Sequence, residues 1–198
     1  MGIDERRALI IVDVQNDFFS GGALAVSNAE SVIMPLNRLT GAFFEANQSV
    51  FALRDWHPKD HKSFKPTGPY PVHCVQDTPG AKLHPDLMTD GVFVVDKAYK
   101  QDDEDMSAFA DGRLLEMLKL TAVKSVYIGG VSTEFGVKAT ALDSIKAGFP
   151  TFIIWEAVIT SRPDVEINTA IAELVRAGVQ FVSIEEALSH LPKVSVVL

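Results

Sequence analysis

The sequence predicts an α/β fold with three layers, in which helices cover both faces of a central, mostly parallel sheet of about six strands. Short apolar runs rich in Val, Ile and Phe recur along the chain with little alternation, which is typical of strands buried on both faces. Segments with helical spacing lie between these runs, and this order favours a parallel sheet with helical crossovers. A chain of 198 residues can form one domain with a full core, so we expect residues 1–198 to be a single domain.

The predicted elements follow one another in order. The strands are "ALIIV" (8–12), "SVFALR" (49–54), "VFVV" (92–95), "SVYIG" (125–129), "TFIIW" (151–155) and "QFVSI" (180–184). The helices are predicted over 32–47, 112–120, 135–148 and 165–178, where apolar residues recur at helical spacing. Gly148 and Gly178 are predicted to end the last two helices as C-terminal caps. Residues 56–90 hold several Pro and Gly residues and few long apolar runs, which predicts a long loop region of the kind that often carries function.

Composition and charge argue against several classes of partner. The 47% hydrophobic and 22% charged contents are those of an ordinary soluble globular protein. A formal net charge of −8 argues against nucleic acid and anionic membranes, since both need a basic surface. The single cysteine, Cys74, excludes an intrachain disulfide and fits a reducing compartment. No targeting segment is visible before Asp13 interrupts the first apolar run, and we therefore expect a cytoplasmic protein.

Polar residues at strand ends are the first candidates for a site, because ligands of open α/β sheets bind outside the carboxyl ends of the strands. Asp13 closes the first strand in "VDVQNDFF", where an acid is either a turn or cap former or a catalytic group. Phe18, in the same motif, is either a core residue or part of a pocket wall. Lys97 follows the third strand; it is either solvated or placed beside an ionised Asp13, where it could help to stabilise a thiolate.

The long loop region carries the residues that suit a metal ion. Asp55 and His57 alternate in "RDWHPKDHKSF", so an extended backbone would point both side chains to one side. Aspartate and histidine together suit a borderline ion such as Zn²⁺ or Fe²⁺. His61 is a candidate fourth ligand or outer partner, and His73, in "PYPVHCVQDTPGA", is the candidate distal ligand. Cys74 next to it is either a ligand, a nucleophile or, as we expect, a small buried apolar side chain.

Five motifs in register resemble the nicotinamidase branch of the isochorismatase-like cysteine hydrolases. They are "IIVDVQNDFF", "RDWHPKDHKSF", "PVHCVQDTPGA", "DKAYK…MSAF" and "GGVSTEFGVKATALDSIKAGF", and the resemblance runs from Ala8 to about Ala187. It implies the isochorismatase-like hydrolase fold and the conversion of nicotinamide to nicotinate and ammonia, a step of NAD salvage. Each motif alone is weak, but their common order and spacing give a specific assignment.

The resemblance also implies a role for each candidate residue. Asp13 would take a proton from an attacking thiol and pass it to leaving ammonia, with Lys97 close to it. One divalent ion would be held by Asp55, His57 and His73, with zinc expected and iron or manganese as alternatives, and His61 matches a histidine that some members use as a further ligand. In nicotinamidases the pyridine nitrogen lies on or near that ion. The remaining implied features are the ring-flanking Phe18 and Tyr70, a non-proline cis peptide at Val131–Ser132, and an oxyanion hole from the amides of Ser132 and residue 136.

The nucleophile position is Gly136, where the family has the attacking cysteine. Removing such a nucleophile typically costs on the order of 10⁶-fold in kcat, so we expect an amidase of this sequence to be severely impaired. Nothing in the predicted fold requires glycine at this position. The protein was therefore altered to trap a substrate, is naturally inactive, or runs chemistry that needs no thiol. Glu134, where the family more often has Asp, and Met106, in place of a common aromatic, are lesser departures.

Three rival functions remain beside the amidohydrolase. The isochorismatases proper also have glycine at the nucleophile position and cleave a vinyl ether by protonation from the aspartate that matches Asp13, but they lack the metal set. The others are a non-catalytic protein that binds a pyridine ligand or metal, and a hydrolase that uses metal-bound water. The expected partner is a small molecule, nicotinamide or a related amide. A homo-oligomer is also open, since the apolar tail "VSVVL" (194–198) could dock on a neighbour or on its own core.

Overall fold

Six parallel strands form one sheet in the computed structural model, which describes residues 5–103, 106–161 and 165–192. The strands are β1 (Arg7–Val12), β2 (Ser49–Asp55), β3 (Phe93–Lys97), β4 (Ser125–Val131), β5 (Thr151–Ile159) and β6 (Gln180–Val182). Their order across the sheet is β3-β2-β1-β4-β5-β6. The predicted parallel sheet of about six strands is confirmed. The tail 194–198 lies outside the described residues.

Helices cover both faces of this sheet, as the three-layer prediction requires. They are α1 (Ile33–Glu45), α2 (Arg113–Leu120), α3 (Lys138–Lys146), α4 (Val165–Ala177) and α5 (Ile184–Ser189). Short 3₁₀ turns lie at Asn16–Phe18 and Ala29–Val32, and a π-helical turn at Thr133–Val137 leads into α3. The helix predicted over 135–148 is therefore a π turn followed by α3. No described helix is long and apolar enough to span a bilayer.

The two faces of β1 show why its sequence does not alternate between apolar and polar residues. Leu9 and Ile11 pack into one core with residues of α1 and α5. Ala8, Ile10 and Val12 pack into the other core, with residues of α2, α3 and α4. All five side chains are fully buried, so both faces of the strand need apolar residues.

The C-terminal part differs from the prediction. The strand predicted over 180–184 ends at Val182, because Ser183 caps a helix that begins at Ile184. The Ser183 hydroxyl oxygen accepts a hydrogen bond of 3.1 Å from the backbone N–H of Glu186. A serine followed three residues later by glutamate is the sequence pattern of a capping box, which was the available signal for α5.

Strand order places the candidate site. The order reverses between β1 and β4. The chain leaves β1 for α1 on one face of the sheet, and it leaves β4 for α3 on the other face. A crevice at this switch point, outside the carboxyl ends of the strands, is the usual ligand site of such sheets. The loop between β2 and β3, residues 56–92, lies over the carboxyl ends of these strands. Isolated bridges that pair His57 with Val75 and Gln15 with Leu83 hold it there.

Candidate active site

A buried lysine lies between two buried carboxylates at the carboxyl ends of three neighbouring strands. The Lys97 Nζ atom is 3.0 Å from Asp13 Oδ2 and 2.5 Å from Asp55 Oδ1. Asp55 and Lys97 are partners in the register of β2 and β3, and Asp13 follows the last residue of β1. Lys97 is the last residue of β3, which ends two residues beyond the strand predicted over 92–95. All three side chains are at least 88% buried, which excludes the solvated alternative for Lys97.

The three charges fix one another's protonation. Burial opposes the charged form of Lys97, but the two carboxylates outweigh it and raise the pKa of Lys97. Burial would raise the pKa of Asp55, but the charge of Lys97, the largest opposing cause, holds that pKa well below its usual range. Burial raises the pKa of Asp13, with the charge of Asp55, and the charge of Lys97 only partly opposes the change. Asp13 is thus the group of the three that can gain and lose a proton near neutral pH.

Asp55, His57 and His73 form a group that could hold a metal ion. One ligand atom from each lies within 4.8 Å of the others, and all three residues are buried. The His57 Nδ1 atom lies 3.2 Å from the Ala98 carbonyl oxygen, and the His73 Nδ1 atom lies 2.8 Å from the Pro71 carbonyl oxygen. A ring N–H that donates from Nδ1 leaves Nε2 as the metal-binding atom. The chemistry and the orientation of these donors therefore fit a divalent ion.

His61 lies beside this group without being one of its three members. Its ring centroid is 4.3 Å from that of His57, and its Nδ1 atom is 2.8 Å from the Ser63 hydroxyl oxygen. Its Nε2 atom is buried and has no hydrogen-bond partner among the described residues. Burial lowers the pKa of His61 and of His73, which favours the neutral imidazole that binds metals. A ligand or outer-partner role for His61 stays a prediction.

Aromatic rings line the approach to His73. The centroids of Phe18 and Tyr70 lie 5.7 Å and 5.9 Å from the His73 ring, each in an edge-on arrangement. Tyr70 also meets Phe135, from the π turn, at 6.5 Å. The structure thus places both predicted ring-flanking residues next to the metal group. Met106, by contrast, is 40% exposed, and its part in the pocket wall stays a prediction.

Gly136 faces Asp13 directly. A Cβ atom built on this glycine would lie 2.5 Å from Asp13 Oδ2 and 3.0 Å from the Val12 Cγ1 atom. The first distance is far inside van der Waals contact, so any side chain at 136 would require the Asp13 carboxylate to move. The atoms that a Cβ atom would meet belong to the side chains of Asp13 and Val12 and none to the backbone, so the expectation that the fold does not require glycine here stays a prediction. The second oxygen, Asp13 Oδ1, is buried without a hydrogen-bond partner among the described residues.

The turn between β4 and α3 also agrees with the resemblance. The peptide between Val131 and Ser132 is cis. The Ser132 carbonyl oxygen accepts hydrogen bonds from the N–H groups of Phe135 and Val137, at 3.2 and 3.3 Å. Glu134 is buried, and its Oε1 atom accepts a 2.8 Å hydrogen bond from the N–H of Ser161. The longer acid thus ties the π turn to the chain after β5, whereas the oxyanion-hole role of Ser132 and Gly136 stays a prediction.

Cys74 belongs to the core, as expected. Its side chain is fully buried among the residues of the α1 face, and it is not part of the metal group. Burial raises the pKa of its thiol far above the usual range, which rules out a thiolate nucleophile near neutral pH. Its backbone instead links two loops of the site. The Cys74 carbonyl oxygen accepts a 3.0 Å hydrogen bond from the N–H of His57, and the Cys74 N–H donates one of 2.6 Å to Asp17 Oδ2.

Two glutamines that the sequence analysis missed support the site from behind. Gln15 is fully buried and hydrogen-bonds both backbone groups of Asp55. Gln76 donates to the carbonyl oxygens of Trp56, at 2.8 Å, and Tyr99, at 3.0 Å. Gln15 lies in the same motif as Asp13, but nothing in the sequence pointed to its bonds with Asp55. Gln76 carried no signal either.

The chain matches known proteins over most of its length. The model of the isochorismatase domain family matches residues 7–186. A nicotinamidase of Acinetobacter baylyi is 34% identical over 89% of this chain and 92% of its own length, and a nicotinamidase of Escherichia coli is 35% identical over 75% and 80%. The crystal structure of a Pyrococcus horikoshii pyrazinamidase in complex with zinc superposes with a TM-score of 0.85, at 40% identity over 90% of this chain and 99% of that one.

Proposed function

Because the chain belongs to the nicotinamidase branch of the isochorismatase family, we propose that its site binds nicotinamide or a related aromatic amide beside a divalent metal ion. The fold and the branch make it a hydrolase by descent. Asp55, His57 and His73 would hold the ion, which we propose to be zinc, and the bound ion would orient the pyridine nitrogen. Phe18 and Tyr70 would flank the ring, since both already lie edge-on to His73.

The observation that carries this proposal is that three parts of the site lie in one continuous row. The Asp13–Lys97–Asp55 chain joins the bare backbone of Gly136 to the metal group, because Lys97 touches both carboxylates and Asp13 Oδ2 faces the glycine. A substituted pyridine held at the metal group would present its amide to Asp13 and Gly136 at the other end of this row. Asp13 Oδ1 is a buried acceptor that an amide N–H of the ligand would satisfy.

Gly136 limits what the site can do to that amide. In the mechanism that the family implies, a thiol at this position attacks the carbonyl carbon, Asp13 takes the thiol proton and the amides of Ser132 and residue 136 stabilise the oxyanion. Asp13, Lys97 and the two amides are present, but the attacking atom is not. We propose that this chain binds the amide and hydrolyses it at a rate about 10⁶-fold below that of a cysteine enzyme.

Calorimetry on the zinc-loaded protein tests the proposal. Nicotinamide is expected to bind at one site per chain, with no release of ammonia over hours at micromolar enzyme. Benzamide, which lacks the ring nitrogen, should bind more weakly if that nitrogen is read by the metal. Zinc-loaded protein that shows no heat of binding with nicotinamide would overturn the proposal. Rapid release of ammonia would overturn the part of the proposal that concerns Gly136.

A second candidate is a vinyl-ether hydrolase that needs no thiol. It is favoured by the burial of Asp13: burial, with an added contribution from the charge of Asp55, raises the pKa of Asp13 to about 8, so that Asp13 can serve as a proton donor. This candidate predicts turnover of isochorismate that survives chelation and is lost in Asp13→Asn. Isochorismate that remains intact with the unchanged protein removes it. The cytoplasmic location and any homo-oligomer stay predictions.

A further inference from the structure

Gln15 makes three buried hydrogen bonds behind the metal group. Its Nε2 atom donates to the carbonyl oxygens of Asp55, at 2.7 Å, and Ala81, at 2.9 Å. Its Oε1 atom accepts from the N–H of Asp55 at 2.8 Å. The side chain is fully buried. One amide therefore satisfies both backbone polar groups of a single residue, and that residue carries a carboxylate of the metal group.

The strand geometry explains why Asp55 needs these bonds. β1 pairs with β2 up to Val12, whose register partner is Leu53. Asp13 then donates its N–H to Leu53, but it adopts a φ of 53° and turns the chain away from β2. The Asp13 carbonyl oxygen accepts from the N–H of Gln15 instead of continuing the ladder. The backbone groups of Asp55 that face β1 thus lose the strand that would otherwise bond them.

A primary amide carries the same donor and acceptor as a peptide group. The side chain of Gln15 therefore takes the place of the missing β1 backbone and extends the hydrogen bonding on this side of β2 from Leu53 to Asp55. On the other edge, β3 holds Asp55 in register with Lys97, and Trp56 donates its N–H to the Lys97 carbonyl oxygen at 3.1 Å. Asp55 is fixed from both sides, although it is the last residue of its strand.

We propose that Gln15 is a positioning residue for Asp55, which it holds through the backbone so that the carboxylate meets the metal ion and Lys97 in one orientation. This inference rests on the proposed metal role of Asp55. Gln15 touches neither the ion nor the substrate in this scheme. Outer residues that orient metal ligands typically change metal affinity by about 10- to 100-fold when they are removed.

The adjacent Asn16 offers a matched control. Its side-chain amide also joins the loop after β1 to the loop before β3, since Nδ2 donates to the Pro79 carbonyl oxygen at 2.8 Å. That bond is exposed, and it reaches no residue of the metal group. Asn16→Ala thus removes a tether of the same chemical kind between the same two loops without touching the support of Asp55.

The test measures zinc affinity by competition with a chelator in the whole chain. Gln15→Met keeps the length and nearly the volume of the side chain but removes the three hydrogen bonds, and Gln15→Asn keeps the amide but withdraws it by about 1.5 Å. Both variants should bind zinc about 10- to 100-fold more weakly, while Asn16→Ala stays within about twofold of the parent. In cobalt-substituted protein, the visible absorption bands of the Gln15 variants should shift, because the ligand geometry changes. If Gln15→Met does not fold, Gln15→Asn alone decides the matter.

The outcomes separate this inference from the proposed function. Gln15 variants that fold and match the zinc affinity and cobalt spectrum of the parent overturn the positioning role and leave the metal site standing. An equal loss in Asn16→Ala also overturns it, because loop tethering in general would then be responsible. A parent protein that takes up neither metal overturns the proposed metal site, and the role of Gln15 falls with it.

Discussion

Replacing Gly136 by cysteine is the most direct test of the site, provided that alanine is studied beside it. Gly136→Ala adds the Cβ atom alone, whereas Gly136→Cys adds the Cβ atom and the thiol. The difference between the two variants therefore isolates the nucleophile from the steric change. Both must be compared as folded, zinc-loaded proteins.

The structure sets the steric part of the effect. A Cβ atom at 136 lies 2.5 Å from Asp13 Oδ2, so this oxygen must retreat by roughly 1 Å to reach an ordinary contact. The Asp13 Cγ atom is already 3.6 Å away, so a rotation of the carboxyl group is sufficient. That rotation weakens the 3.0 Å contact between Oδ2 and Lys97. Overpacking of this kind costs about 1–3 kcal/mol, against which alanine regains at most about 1 kcal/mol of helix propensity.

Both variants should lose stability, and only Gly136→Cys should gain activity. Both variants should melt a few degrees below the parent, since about 1 kcal/mol shifts the Tm of a chain of this size by roughly 2–4 °C. Ammonia release from nicotinamide should stay at the background in Gly136→Ala and rise by about 10³- to 10⁶-fold in Gly136→Cys. A coupled ammonia assay and a thermal melt measure the two effects. A folded, zinc-loaded Gly136→Cys that releases no more ammonia than Gly136→Ala refutes the amidase assignment of the site.

Three further predictions concern the ligands of the site. His73→Ala should lower the zinc content to well under one ion per chain, while His84→Ala, outside the metal group, should leave it unchanged; equal metal content in both would contradict the ligand set. Phe18→Ala should weaken nicotinamide binding by about tenfold through lost ring contact, and an unchanged affinity in calorimetry would remove Phe18 from the pocket. Burial lowers the pKa of His73 in the folded chain, so the unfolded chain binds more protons than the folded chain as the pH falls through 6.5. The metal-free protein should therefore lose stability as the pH falls there, and the Tm of His73→Gln should depend less on pH.

The fold was readable because its signals are local. Each buried strand needs apolar residues on both faces, and those runs stand out in the sequence without any knowledge of their partners. The helix α5 was missed because residues 180–184 continue the apolar run of β6, and only Ser183 and Glu186 mark the boundary. A capping pair is a weak signal beside a run of Val, Ile and Phe.

The site could be predicted from the sequence only where a residue has a typical chemical role and also lies at a strand end or in a loop. Asp55, His57 and His73 are residues with few other reasons to lie at strand ends and in loops, and the structure brings them within one group. The role of Gln15 was not readable, because it depends on how β1 turns away from β2 after Asp13. The closeness of Asp13 to Gly136 could be expected only from the resemblance, because it joins the residue after β1 to the π turn after β4.

The energetics of the buried charges bear on why Gly136 is present. Three ionisable side chains are held almost entirely out of water here, and buried ion pairs are often less stabilising than apolar residues of similar volume. A chain that had no use for the site would gain stability by replacing Lys97 and Asp13 with such residues. A site that still binds its ligand would keep these residues beside a glycine that leaves room for the carboxylate, and so would a site from which the thiol alone was removed. Both alternatives require Asp13, Lys97 and the metal group to act together.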